Sequence, residues 1–130
     1  MKEILTIIIM IISTVSVSNG SQKVNMLSFG GHAESEFFTG DVLPGGMDTQ
    51  KMDSVSGTLS ARYMLKGKDC KGENCSIFIE NNATFGHEYT EPRIVTDSKA
   101  LSFLNTAKLK GKLDNKDGKL TIRIYQCDKE

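Results

Sequence analysis

The chain has 130 residues, with 16 Lys plus Arg against 16 Asp plus Glu and a formal net charge of zero. That balance gives no electrostatic case for nucleic acid, an anionic membrane or a polyanionic substrate, all of which favour clustered Lys and Arg. The length suits one domain and is too short for two.

The N-terminus reads as a secretory signal. Met1, Lys2 and Glu3 precede an apolar run from Ile4 to Ile12, and small and polar residues follow from Ser13 to Gly20. Even extended to Val17, the run falls short of the roughly 20 residues a spanning helix needs. Ser18 and Gly20 fit the positions a signal peptidase inspects, so cleavage is expected after Gly20, with Ser18 as second choice. The expected organisation is a leader over 1–20 and one domain over 21–130, secreted or periplasmic, with no stable membrane anchor after cleavage. Losing Lys2 and Glu3 leaves the net charge at zero.

Strand signals dominate the remainder. Val55, Gly57, Leu59, Ala61, Tyr63 and Leu65 recur at period two between Ser54, Ser56, Thr58, Ser60, Arg62 and Lys66, which predicts a strand with one apolar face. Ser76 to Glu80 reads as its return strand. Asp97 to Asn105 predicts one or two helical turns, with Asp97 as N-cap and Leu101 and Leu104 on one face. Ala107, Leu109, Gly111 and Leu113 then alternate with lysines, and Asp114 to Gly118 turns the chain into Leu120, Ile122 and Ile124. Short strands, frequent turns and little helix predict an antiparallel barrel or sandwich.

Three cysteines, Cys70, Cys75 and Cys127, allow three single pairings. In an oxidising compartment Cys70 and Cys75 are the expected pair, because the intervening Lys71-Gly72-Glu73-Asn74 has turn chemistry. A C-x4-C with His32 and His87 scattered elsewhere does not supply the four ligands of a zinc site, so no metal is expected, nor any other cofactor. The two histidines read as loop or edge positions, and no nucleophilic Ser or Cys is placed near them.

The least ordinary stretch is Gly40-Asp41-Val42-Leu43-Pro44-Gly45-Gly46-Met47-Asp48. Pro44 fixes φ, Gly45 and Gly46 permit backbone angles that other residues avoid, and the Asp48 carboxylate emerges just after the turn. Further on come Gly57, Ala61-Arg62-Tyr63-Met64-Leu65, Asp69, Pro92-Arg93-Ile94-Val95-Thr96, Leu104-Asn105 and Ile122-Arg123-Ile124-Tyr125. In order and spacing this set resembles the domain-of-unknown-function 3237 family, small calycin-like β-barrel proteins. Two departures stand out: Val95 occupies a position where the family has Glu, and Phe103 replaces a frequent Trp. Once residues 1–20 are set aside as a leader, the chain is also short of one N-terminal strand, unless Lys23 to Phe29 supplies it.

The resemblance implies an all-β fold, a small antiparallel barrel with at most one short helix, and a pocket gathered around Gly45, Gly46, Asp48, Arg62, Tyr63 and Arg93. An Arg would pair an anionic or phenolic ligand while Asp48 accepts or delivers a proton. Three functions compete. The first is an exported barrel that binds a small apolar or aromatic molecule. The second is a cofactor-free acid-base enzyme, a cyclase or isomerase, using Asp48 with Arg62 or Arg93, of which Asp48 and Arg93 are the catalytic candidates. The third is a protein-interaction module without a pocket.

Overall fold

A computed structural model describes residues 1–116 and 119–127. Among them the chain forms nine strands: β1 (Lys2–Ser18), β2 (Gln22–Glu34), β3 (Phe38–Val42), β4 (Gly46–Asp53), β5 (Gly57–Asp69), β6 (Asn74–Thr84), β7 (Glu91–Thr96), β8 (Leu109–Lys116) and β9 (Lys119–Gln126). A single 3-10 turn, Ser102–Asn105, lies between β7 and β8. Every strand pairing is antiparallel, and the order is β7-β6-β5-β3-β2-β1-β9-β8, with β4 also seated between β2 and β5. The ring closes where Thr90 and Gly111 exchange backbone hydrogen bonds of 2.8 and 3.0 Å. Gly is required there, because a Cβ on residue 111 would come within 2.2 Å of the Thr90 Oγ1.

The segment expected to be a leader is strand β1. It pairs with β2 from Ile7↔Ala33 to Ser18↔Lys23 and with β9 from Lys2↔Gln126 to Ile9↔Leu120. Ile4, Leu5, Ile7 and Ile9 are buried in the core, while Thr6 and Ile8 between them are only half-buried. A run of β-branched apolar residues serves a signal's apolar region and a barrel strand equally well, since both ask only for apolar side chains. The extra N-terminal strand is therefore present in this chain, as β1, and Lys23 to Phe29 belongs to β2 instead.

β3 and β4 run in the same direction between the same two neighbours. They are one strand position interrupted at Leu43-Pro44-Gly45, where four residues oppose two: Val42 faces Leu65, and the next pair is Met47 with Arg62. The sequence element read as a turn is thus a bulge inside the wall, with Gly45 at φ 106° and the Leu43 N–H donating to the Met64 carbonyl at 2.8 Å. The bulge re-aims the strand just before Asp48.

The apolar core fills one end of the barrel. Leu5, Ile7, Ala33, Phe38, Leu65, Ile77 and Ile124 meet there, and Leu101 and Leu104 from the 3-10 turn plug it. Asp97 does not cap that turn, whose N-cap is Leu101 without a side-chain cap bond: the Ser98 Oγ accepts from the Leu101 N–H at 3.1 Å just before it, and Asp97 accepts from the Ser76 N–H across to β6. The period-two strand is β5, whose Gly57, Leu59, Ala61, Tyr63 and Leu65 face inward; Val55, expected on that face, lies before the strand and is 90% exposed. Of the expected turn from Asp114 to Gly118, residues Asp117 and Gly118 lie outside the described residues.

Cys70 and Cys75 are free thiols, contrary to the expected bridge. Strand register explains this. Cys75 lies opposite Gly67 and is buried, while Cys70 sits in the exposed turn beyond the last pair, Lys68↔Asn74. That turn is held by Asp69, whose carboxylate accepts from the Lys71 and Glu73 N–H groups and from the Ser98 hydroxyl at 2.7 Å.

Candidate functional site

Alternation along the strands decides which predicted residues share a space. Asp48 lies opposite Leu27 on β2 and Ala61 on β5, and Ala61 in turn lies opposite Asn81 on β6. Asp48, Ala61 and Asn81 therefore form one inward row across three strands, with the smallest side chain in the middle. Tyr63 is two residues along on the same face of β5. Gly46 leaves room beside it: a Cβ there would lie 3.3 Å from both the Phe29 ring and the Tyr63 Cβ. The two rings meet edge to face, 5.1 Å apart.

Arg62 and Arg93 are on the other side of the wall. Each is opposite Glu80, Arg62 across β5–β6 and Arg93 across β6–β7, and both are exposed. Arg62 pairs with Glu80 at 3.4 Å with two-thirds of its side chain in water, a surface contact of little energetic weight. The structure thus brings Asp48, Tyr63 and Gly46 together and leaves Gly45 in the bulge. Neither Arg62 nor Arg93 joins them. Val95, the departure from the family pattern, is also on the outer surface, 64% exposed, so the missing Glu changes nothing in the interior.

What sequence reasoning missed is a line of polar side chains running from Asp48 toward the far end of β1. The Gln50 amide donates to Asp48 Oδ2 at 3.2 Å, Asn25 donates to the Gln50 carbonyl oxygen at 3.4 Å, and the Ser16 hydroxyl donates to Asn25 Oδ1 at 2.6 Å. Ser16 and Asn25 are direct cross-strand partners, as are Asn25 and Gln50, so the line follows one rung of the sheet. Its signal was available in part: Gln50 follows Asp48 at period two, and Asn81 follows Ile77 and Ile79 on the buried face of a strand.

Several buried oxygens here have no protein partner. Among the described residues, Asp48 Oδ1, Tyr63 Oη, Asn81 Oδ1 and Thr90 Oγ1 are enclosed without a hydrogen bond. Thr90 belongs to the same neighbourhood, since the position a Gly111 Cβ would take is 2.2 Å from its hydroxyl and 3.7 Å from the Asn81 amide nitrogen. A buried polar group without a partner costs about 1–3 kcal/mol, and two of these oxygens, on Asp48 and Asn81, belong to the residues that flank Ala61. Burial pushes the Asp48 carboxyl above the ordinary carboxylate value, with the Gln50 amide pulling weakly the other way. Burial likewise raises the Tyr63 phenol, which stays protonated. The described residues contain no group of three His, Cys, Asp or Glu able to hold a metal ion.

The model of the family described as "Protein of unknown function (DUF3237)" matches residues 1–99. The chain belongs to the DUF3237 family. The match starts at residue 1 and so includes β1. No curated protein matches the chain. Solved structures share the DUF3237 barrel at low identity. A protein of unknown function from Clostridium acetobutylicum superposes with a TM-score of 0.81 at 20% identity, covering 98% of this chain and 95% of that one. A β-barrel-like protein from Acinetobacter baumannii gives 0.74 at 16% identity, covering 96% and 93%. A protein described as an enzyme from Penicillium herquei gives 0.69 at 17% identity, covering 95% and 92%. At these identities the likeness establishes the fold.

Proposed function

We propose that this chain is a small-molecule-binding β-barrel that keeps β1 as part of its wall and holds its ligand over Ala61. The observation that carries the reading is the pair of unpartnered buried oxygens on Asp48 and Asn81 flanking that alanine. A ligand seated there meets acceptors on two strands and the aromatic pair Phe29 and Tyr63 alongside. It therefore carries hydrogen-bond donors on a compact, partly apolar body, rather than being apolar throughout. No cation lines this row, so charge pairing by arginine is not part of the recognition.

Export through a signal cleaved after Gly20 would remove β1 and uncover the core at Ile4, Leu5, Ile7 and Ile9, so this reading places function in the chain with its N-terminus intact. Screening hydroxylated aromatic fragments by ligand-observed NMR tests the site. Binding to wild type that disappears in Ala61→Leu, with the fold retained by circular dichroism, is the expected result. Equal binding to both proteins, or no binder at all, would overturn it.

A second reading is acid-base catalysis by Asp48. Its raised carboxyl favours it, because a group with its proton affinity moved toward neutral exchanges protons more readily at physiological pH. The Penicillium herquei neighbour, described as an enzyme, supports the same direction. Tyr63 and Asn81, rather than an arginine, would then orient the substrate. Conversion of a bound fragment by wild type and not by Asp48→Asn distinguishes enzyme from binder.

A further inference from the structure

β1 is longer than the barrel needs. Its pairing with β9 ends at Ile9↔Leu120, while its pairing with β2 continues to Ser18↔Lys23. Among the described residues no strand lies beside Met10 to Ser18 on the side away from β2, and this edge carries a row of backbone donors and acceptors facing outward. Proteins usually protect such edges with lysine, proline or a covering loop. The segment from Ile4 to Gln22 contains no proline and no ionisable side chain. Its protection is limited to one bulge, at Ile12.

The outer face of the same segment is apolar and exposed. Val15 and Val17 are 63% and 65% exposed, and Met26, opposite Val15, is 40% exposed. Met10 and Ile12 extend the patch along β1, with Ile12 at 70%. An uncharged, unpaired edge next to such a patch marks an interaction surface.

We infer that this edge pairs with the same edge of a second copy of the chain, β1 against β1, about a two-fold axis. Self-complementarity favours this partner over others. A two-fold axis brings the strands together antiparallel, and a register centred on Val15 sets Val15 opposite Val15 and Ser13 opposite Val17 on one face, with Thr14 opposite Ser16 on the other. No like charges meet, because none are present between Ile4 and Gln22. An anionic membrane is a poorer fit: the edge itself carries no cation, and the cations beside it, Lys23 opposite Ser18 and Lys51 in a groove with Val17 and Met26, only flank it. The pairing also serves the interior. Ser16 begins the polar line to Asp48, so a partner strand beside it extends the wall at the open end of the site.

Size-exclusion chromatography with light scattering on the full chain tests the inference. Wild type is expected at twice the 14.3 kDa chain mass. The double variant Val15→Lys with Val17→Lys, altered only on exposed positions, is expected at the monomer mass with an unchanged circular dichroism spectrum. Hydrogen exchange gives a second readout on unaltered protein: amides of Ser13 to Ser18 slow as concentration rises, while those of Val55 and Ser56 do not. A wild-type monomer at all concentrations overturns the inference. So does a dimer that survives both lysines, or a wild-type monomer that binds phosphatidylcholine vesicles through the same residues.

Discussion

The two ends of this barrel are built from the same strands and do opposite things with them. At one end Leu5, Ile7, Phe38, Leu65, Ile77 and Ile124 interlock and the 3-10 turn closes the opening with Leu101 and Leu104. At the other, Ser16, Asn25, Gln50, Asp48 and Asn81 occupy the equivalent inward positions, and Asp48 and Asn81 each keep a side-chain oxygen without a partner. Strand β5 joins the two, with Leu65, Tyr63 and Ala61 in the apolar cluster and the polar Asp48 and Asn81 flanking Ala61. Apolar burial at the packed end offsets the cost of the unpartnered oxygens at the other.

The strongest way to break this division is to remove residues 1–20. That takes four buried side chains from the packed end, each worth about 1.5–3 kcal/mol of burial, and opens both β2 and β9. Loss of the folded β spectrum by circular dichroism is expected, whereas the full chain melts cooperatively. Intact mass of protein from its own cells asks the same question in vivo, and a species retaining Met1 or Lys2 is expected.

Next in size is a contrast of single substitutions. Leu65→Ala in the packed end is expected to cost about 2–5 kcal/mol in chemical denaturation. Asp48→Asn in the polar end is expected to cost nothing at neutral pH and to stabilise the unliganded protein while weakening ligand binding. The sign follows from linkage: a carboxyl raised on folding binds its proton more tightly in the native state, so stability falls as pH rises from the ordinary carboxylate value through the raised one. In Asp48→Asn that fall is absent.

Asp69 offers the opposite slope. The Ser98 hydroxyl and the Lys71 and Glu73 amides hold its carboxyl below the ordinary value, so its contribution is present at neutral pH and is lost on acidification through the lowered value. Ser98→Ala is expected to lower the melting temperature at neutral pH and to narrow its drop in acid. The smallest effects belong to the outer wall. Arg62→Ala and Arg93→Ala are expected to change stability by less than about 0.5 kcal/mol and to leave fragment binding intact. Reducing agent is expected to leave the melting temperature unchanged, since Cys70 and Cys75 are not bonded.

Much of the strand pattern was legible in the residues, and the rest was hidden for physical reasons. Period two in β5 was plain because every second side chain is apolar and the intervening ones are polar. β1 was not, because nearly all of its first half is apolar and no alternation marks it as a strand. The family resemblance groups Arg62 and Arg93 with Asp48, whereas their parity along β5 and β7 sets them outside. Ser16, Asn25 and Gln50 were overlooked because each is unremarkable alone.

By itself, then, the sequence determined an antiparallel all-β class, barrel or sandwich, and the positions of most strands, since these depend on local periodicity and turn chemistry, while the resemblance to the DUF3237 family singled out the barrel. Only the tertiary structure decided that residues 2–18 are a wall of the barrel, that Cys70 and Cys75 stand out of register, and that Asp48 faces Asn81 across Ala61. Each of those depends on which strand lies beside which and in what register, a choice made by the closing of the whole ring.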